Sequence, residues 1–183
     1  MNRTFSRSAT ALCAPLFLLA CSSATATQPS AQNPTPQVAS STSGLDAFRQ
    51  PRENLWTGGR PSDADLDAFA AMSGSLVISL LPADELGGEA ERVGARNLGF
   101  LSIPITGATD LTEDNARRLG EALHAHEGQP VLLHCGSGNR AGALLAMEAF
   151  YVEGQTVEAA ISLGLSAGLT SLESAVRERL ADH

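Results

Sequence analysis

Val131-Leu132-Leu133-His134-Cys135-Gly136-Ser137-Gly138-Asn139-Arg140 decides how this chain is read. A short apolar strand runs into a cysteine, a glycine-rich turn and an arginine, and Ala141 to Val152 then continues as a helix that is apolar on nearly every side. A buried strand feeding a turn that opens a helix is the repeating unit of a parallel α/β sheet. The turn is also an anion cradle. The loop amides of Gly136, Ser137, Gly138, Asn139 and Arg140 can converge on one oxyanion, the helix adds its positive N-terminal end, and Arg140 supplies a planar fork of donors. That field favours the thiolate of Cys135, the nucleophilic form of the side chain. The plain alternative, a small buried cysteine beside a tight turn, requires neither Cys135 at the strand end nor Arg140 at the helix start.

Outward from this segment, strands and helices alternate. Asn54 to Thr57 makes a short strand, and Gly58-Gly59-Arg60-Pro61 turns the chain. Ser62, with Asp65 three residues on, caps a helix that buries Leu66, Phe69 and Ala70 and ends at Gly74. Leu76 to Leu81 is a continuous apolar run, the mark of a strand covered on both faces, broken by Pro82. A short helix is expected from Glu89 to Asn97 with Gly99 as its C-cap, and a strand from Phe100 to Ile105. Thr112 caps a helix with an apolar stripe of Ala116, Leu119 and Leu123 that extends toward His126. After Ala141–Val152, Glu153-Gly154 closes the helix. Two more helices follow, Thr156 to Leu165 and Thr170 to Ala181, the second with a Thr170/Glu173 capping box. The expected fold class is α/β: a mostly parallel central sheet of four to five strands flanked by helices.

The N-terminus reads as an export signal. Arg3 and Arg7 precede an apolar run from Ala9 to Ala20 that is too short to span a bilayer. Leu18-Leu19-Ala20-Cys21 resembles a bacterial lipobox, which makes residues 1–21 a signal peptide and Cys21 the lipidated residue of a periplasm-facing protein. The alternative is cleavage after Ala24-Thr25-Ala26 and a soluble periplasmic protein. Residues 22–44 are rich in Ser, Thr, Ala, Gln and Pro without charge, a composition suited to a tether, and residues 45–183 then form one domain. With Cys13 inside the signal and Cys21 modified or removed, Cys135 is the single thiol of that domain. An unpaired thiol in an oxidising compartment carries an oxidation risk that a chemical role would justify.

All twelve basic residues are arginine, and without Arg3 and Arg7 ten face twenty carboxylates, a net charge near −10. Such a surface disfavours nucleic acid and anionic headgroups, so membrane contact is expected only through the N-terminal lipid. Attraction for an anionic substrate then has to be local, from the loop and Arg140. No dinucleotide fingerprint or Walker-type phosphate loop is present, and no cofactor is expected. His124 and His126 stand two apart on a helix and face different directions, so no metal site is expected.

His134-Cys135 followed by a glycine-containing loop and Arg140 resembles the active site of the cysteine-dependent protein tyrosine and dual-specificity phosphatases. With Leu55-Trp56-Thr57-Gly58-Gly59-Arg60-Pro61-Ser62, Leu76-Val77-Ile78-Ser79-Leu80 and Ile103-Pro104-Ile105, the resemblance extends to the bacterial beta-lactamase hydrolase-like, phosphatase-like family (DUF442) over nearly all of residues 45 to 183. The resemblance implies hydrolysis of phosphate monoesters, on proteins or small molecules, through a phosphocysteine on Cys135, with Arg140 and the loop holding the phosphate. His134 then shapes the loop, or is a satisfied histidine at a strand end. The resemblance also puts an acid on the loop after the third strand, where Asp110 stands; a solvated loop carboxylate is the competing reading, with Asp84 and Glu85 in reserve. Arg60 reads as part of a turn into a capped helix, the alternative being contact with the remote part of the substrate. Two features depart from the wider class. Four residues rather than five separate Cys135 from Arg140, a spacing common in rhodanese-type sulfurtransferases, which carry a persulfide. Ala141 stands where many phosphatases have Ser or Thr. A non-catalytic anion-binding module is the third alternative.

Overall fold

In the computed structural model, which describes residues 44–181, five strands form one sheet in the order β1-β2-β5-β3-β4. The strands are β1 (Arg49–Arg52), β2 (Leu55–Gly58), β3 (Leu76–Ser79), β4 (Gly99–Ser102) and β5 (Val131–His134). β1 pairs antiparallel with β2, and every other pairing is parallel. The helices are α1 (Asp63–Ala71), α2 (Glu89–Gly94), α3 (Glu113–Ala125), α4 (Asn139–Tyr151), α5 (Val157–Ala167) and α6 (Glu173–Ala181), with a 3-10 turn at Ala108–Asp110. The expected signal peptide, Cys21 and nearly all of the tether lie outside the described residues. Among the described residues no helix is long and apolar enough to cross a membrane.

Strand periodicity explains the layers. Leu55, Leu76, Ile78, Val131 and Leu133 point to one face and meet the apolar residues of α3, α4, α5 and α6. Trp56, Val77 and Leu132 point to the other and pack with Leu66 and Phe69 of α1, Val93 of α2, and Leu45 and Leu98. With both faces covered, the parallel strands carry no polar alternation, which is why they read as continuous apolar runs. α4 is buried continuously from Ala141 to Ala149, in keeping with its sequence. It lies against α5 closely enough that a Cβ on Gly142 would fall 2.2 Å from the Leu169 backbone nitrogen and 2.6 Å from the Gly164 carbonyl oxygen.

Several expected boundaries are corrected. β1 was not expected: Arg49-Gln50-Pro51-Arg52 has no apolar period, and only the edge of a sheet accepts such a strand. Gly58 is the last residue of β2, paired with His134, rather than part of the turn. Gly99 is no C-cap. It begins β4 opposite Leu76, and Asn97 takes the left-handed position after α2 with φ +58°. Likewise α1 ends at Ala71 rather than at Gly74, and Ser73, at φ +64°, takes the left-handed position after it. Thr170 and Glu173 form no capping box, because α6 starts at Glu173, whose carboxylate accepts from Arg177 Nε at 2.9 Å while the Thr170 amide is drawn to Asn139. The Ser62/Asp65 box does form: Ser62 N donates to Asp65 Oδ2 at 2.8 Å and Asp65 N to Ser62 Oγ at 3.2 Å. α4 begins at Asn139, two residues before its expected start, which brings Arg140 into its first turn.

Candidate active site

The three central strands end side by side, with Gly58 and Ser79 both in register with His134. The carboxyl ends of parallel strands, where helices begin, are where α/β sheets present functional groups. Cys135 leaves β5 there, its amide bonded to the Gly58 carbonyl at 3.2 Å and the His134 carbonyl accepting from Leu80 N at 2.9 Å. Gly136 and Ser137 are exposed, and Ser137 bridges Gly59. Gly138 then reverses the chain at φ +95°, a conformation that favours glycine, and a Cβ there would meet the Gly58 backbone at 3.4 Å. The reversal turns the Gly138 amide back onto Cys135 Sγ, 3.1 Å away. Cys135 is fully buried beneath this loop and is the free cysteine of the described residues. No side chain caps the N-terminus of α4 and no acid stands in its first turn, so its positive end is open to an anion.

Arg140 lies along the loop, with Nη2 3.1 Å from the position a Cβ on Gly136 would take. Its Nη1 donates to the Ile105 carbonyl at 2.9 Å, which anchors one edge of the guanidinium. Nη2 donates to Glu85 Oε2 at 3.1 Å, so one of the reserve carboxylates touches the arginine directly. Arg60 in turn donates to the Glu85 backbone carbonyl and thus braces the loop after β3 rather than simply ending a turn. Asn139 turns its side chain outward: Nδ2 donates to Ser171 Oγ at 2.8 Å, and Oδ1 accepts from Thr170 N at 2.8 Å. What Asn139 offers an anion is therefore its backbone.

Asp110 closes the 3-10 turn that follows Ile105. Its Oδ2 accepts from the Thr106 amide at 2.7 Å and from the Thr106 hydroxyl. These bonds, the hydroxyl's first, hold its carboxyl below the ordinary range. Asp110 is therefore ionised near neutral pH in this state. To act as an acid it must exchange Thr106 for another partner. Asp84 is exposed.

Behind the loop lies a group that the sequence did not disclose. His134 and Glu89 are both fully buried, with Nε2 3.1 Å from Glu89 Oε1. Ser79 Oγ donates to Glu89 Oε2 at 2.8 Å. The other ring nitrogen of His134, Nδ1, lies 3.4 Å from the carbonyl oxygen of Cys135. Glu89 gives no local signal, since Glu89-Ala90-Glu91-Arg92 reads as a solvated helix start. His124 is exposed and His126 approaches Ser75 Oγ at 3.2 Å, so the two do not converge. Among the described residues no group of three His, Cys, Asp or Glu is placed to hold a metal ion.

No family model and no curated protein matches the chain. Solved structures do. Tk-PTP superposes with a TM-score of 0.62 at 20% identity, over 75% of this chain and 98% of that one. PTPMT1 in complex with PI(5)P gives 0.61 at 15% identity, over 75% and 96%. A provisionally named phosphatase (DUF442) from Shewanella putrefaciens CN-32 gives 0.57 at 17%, over 74% and 89%. The fold is thus that of the protein tyrosine phosphatase-like structures, DUF442 proteins among them.

Proposed function

We propose that this chain is a cysteine-dependent phosphatase that hydrolyses phosphate monoesters through a phosphocysteine on Cys135. The observation that carries this is the Gly138 amide aimed at Sγ from 3.1 Å on a loop that also opens a helix and ends in Arg140. An N–H directed at sulfur stabilises negative charge on it, and the same loop supplies donors for an incoming phosphoryl group. Sγ attacks phosphorus in line, the bond to the leaving oxygen breaks, and that oxygen takes a proton from the acid. Water then attacks phosphorus, the S–P bond breaks back to thiolate, and the proton lost by water restores the acid. Arg140 and the loop amides hold the three non-bridging oxygens throughout, so catalysis is positioning and charge stabilisation. Substrate phosphate replaces Glu85 on Arg140 Nη2, while the Ile105 carbonyl keeps the guanidinium in place. Asp110 is the acid in this scheme. The solved complex of PTPMT1 with PI(5)P and that of P. aeruginosa TpbA with pTyr suit a phosphorylated substrate here, a lipid or a protein side chain alike.

The four-residue interval between Cys135 and Arg140 favours a second reading, sulfur transfer through a Cys135 persulfide. One comparison separates them. The protein and its Cys135→Ser variant are assayed for phosphate released from an aryl phosphate and for thiocyanate formed from thiosulfate and cyanide. Cysteine-dependent phosphate release is expected; thiocyanate without phosphate would replace the first reading with the second, and tight anion binding with neither product would leave a binding module.

A further inference from the structure

Glu89 has no part in the chemistry just described, yet it is enclosed completely. Removing a carboxylate from water costs several kcal/mol unless it is well paired, so a buried glutamate calls for a reason. Holding α2 in place is an insufficient one: Arg96 of the segment just after α2 binds Asp67 of α1 at 2.6 Å, and Arg92 of α2 binds Asp63 at 3.3 Å. Glu89 points inward instead, to His134. Among the described residues neither Glu89 Oε1 nor His134 Nε2 makes a hydrogen bond of good geometry, and what each of these buried atoms faces, 3.1 Å away, is the other.

Both ring nitrogens of His134 face acceptors, the Glu89 carboxylate at Nε2 and the Cys135 carbonyl oxygen at Nδ1. A neutral imidazole has one N–H and would set a lone pair against one of those oxygens; an imidazolium satisfies both. Burial pushes the Glu89 carboxyl up. The hydrogen bond and charge of His134, the Ser79 hydroxyl and the charge of Arg60 outweigh that and leave it below its ordinary value, so Glu89 is the negative member of the pair.

Resting on the phosphatase reading, we propose that Glu89 is a positioning residue for the nucleophile: it holds His134 doubly protonated, and the ring fixes the Cys135 carbonyl and sets the pair's positive end against Cys135. Other charged groups around the loop include Arg140 and Glu85, which face each other, Arg49, whose Nη1 lies beside Gly168 where that residue meets the Gly138 carbonyl, and Arg60, which acts on Glu89. With Gln at 89 a charged ring would be buried without a counter-ion, so it sheds a proton. Nδ1 or Nε2 then loses its bond, and the thiolate loses its nearby cation.

The two deciding readouts, alkylation and the His134 spectrum, need no turnover. Alkylation of Cys135 by iodoacetamide is followed across pH by mass spectrometry of the Cys135 peptide. Glu89→Gln is expected to slow alkylation about tenfold at a fixed pH below the wild-type midpoint, the low end for loss of one nearby charge. It should also move the acidic limb of kcat/KM to higher pH by the same amount. Glu89→Asp is expected to recover part of both. In the wild-type protein, ¹⁵N spectra of His134 should show hydrogen on both ring nitrogens at neutral pH. An alkylation profile unchanged by Glu89→Gln, or a singly protonated His134, would overturn the proposal, and the spectrum decides even where the variant does not fold. Loss of phosphatase activity as the assigned function would leave both readouts intact.

Discussion

Glu148 offers a sharp test of the packing of α4, the helix that carries Arg140. Its carboxylate is 3% exposed and lies 3.0 Å from Arg52. Arg52 is already engaged by Glu153, through Nη1 at 2.9 Å and Nη2 at 2.9 Å, so Glu148 is the surplus carboxylate of a three-charge cluster. Burial pushes its carboxyl up, Arg52 pulls it part of the way back, Glu153 opposes that, and the outcome is a value of about 7 against an ordinary 4.5. Below the ordinary value the folded and unfolded chains are both protonated at this position and no stability is lost. Between the two values the folded state keeps a proton that the unfolded chain has released, so stability falls as pH rises. Above about 7 the loss is complete. At about 1.4 kcal/mol per tenfold in proton affinity it amounts to about 3 kcal/mol. Glu148→Gln removes the titration and leaves Arg52 its two bonds to Glu153. Urea unfolding at pH 4.5 and pH 8 should therefore show the wild type losing about 3 kcal/mol more than the variant across that interval. Titrating groups outside this cluster, Asp110 included, cancel in the difference. Parallel losses in the two proteins would refute the burial and charge balance assigned to Glu148.

Two further outcomes follow from the site and its support. Asp110→Asn should cost about 10²-fold in kcat for an alkyl or phenyl phosphate and only a few-fold for a nitrophenyl phosphate, because an activated leaving group needs no proton; equal losses on both would move the acid elsewhere, Glu85 being next to Arg140. Gly142→Ala drives a methyl into the Leu169 and Gly164 backbones, so it should destabilise the domain by about 1–3 kcal/mol and slow phosphate release by displacing the segment to which Asn139 is bonded. A melting temperature equal to wild type would contradict the close contact of α4 and α5.

The alternation of strand and helix is legible because β3 and β5 are buried on both faces and carry the apolar runs Leu76–Ile78 and Val131–Leu133. The Cys135-to-Arg140 turn is legible because glycine, cysteine and arginine each have a distinct reason to stand there. What escaped reading depends on register. Glu89 and Glu91 are indistinguishable in the sequence, and only the pairing that sets Ser79 beside His134 makes a pocket for the first. The second role of Asn139 also escaped reading: beyond its backbone amide, its side chain ties the start of α4 to Thr170 and Ser171. Glu85 reads as one of two adjacent loop acids, and its contact with Arg140 arises from elements fifty-five residues apart. β1 escaped because an edge strand needs no apolar period.

Both steps of the proposed hydrolysis pass through a covalent bond at Cys135. Acid quenching during turnover of an aryl phosphate, followed by mass spectrometry of the Cys135 peptide, should find phosphate on that sulfur in the wild type and neither adduct nor phosphate release in Cys135→Ser. Phosphate release that persists in the serine variant, or turnover in which Cys135 never carries a phosphoryl group, would contradict it.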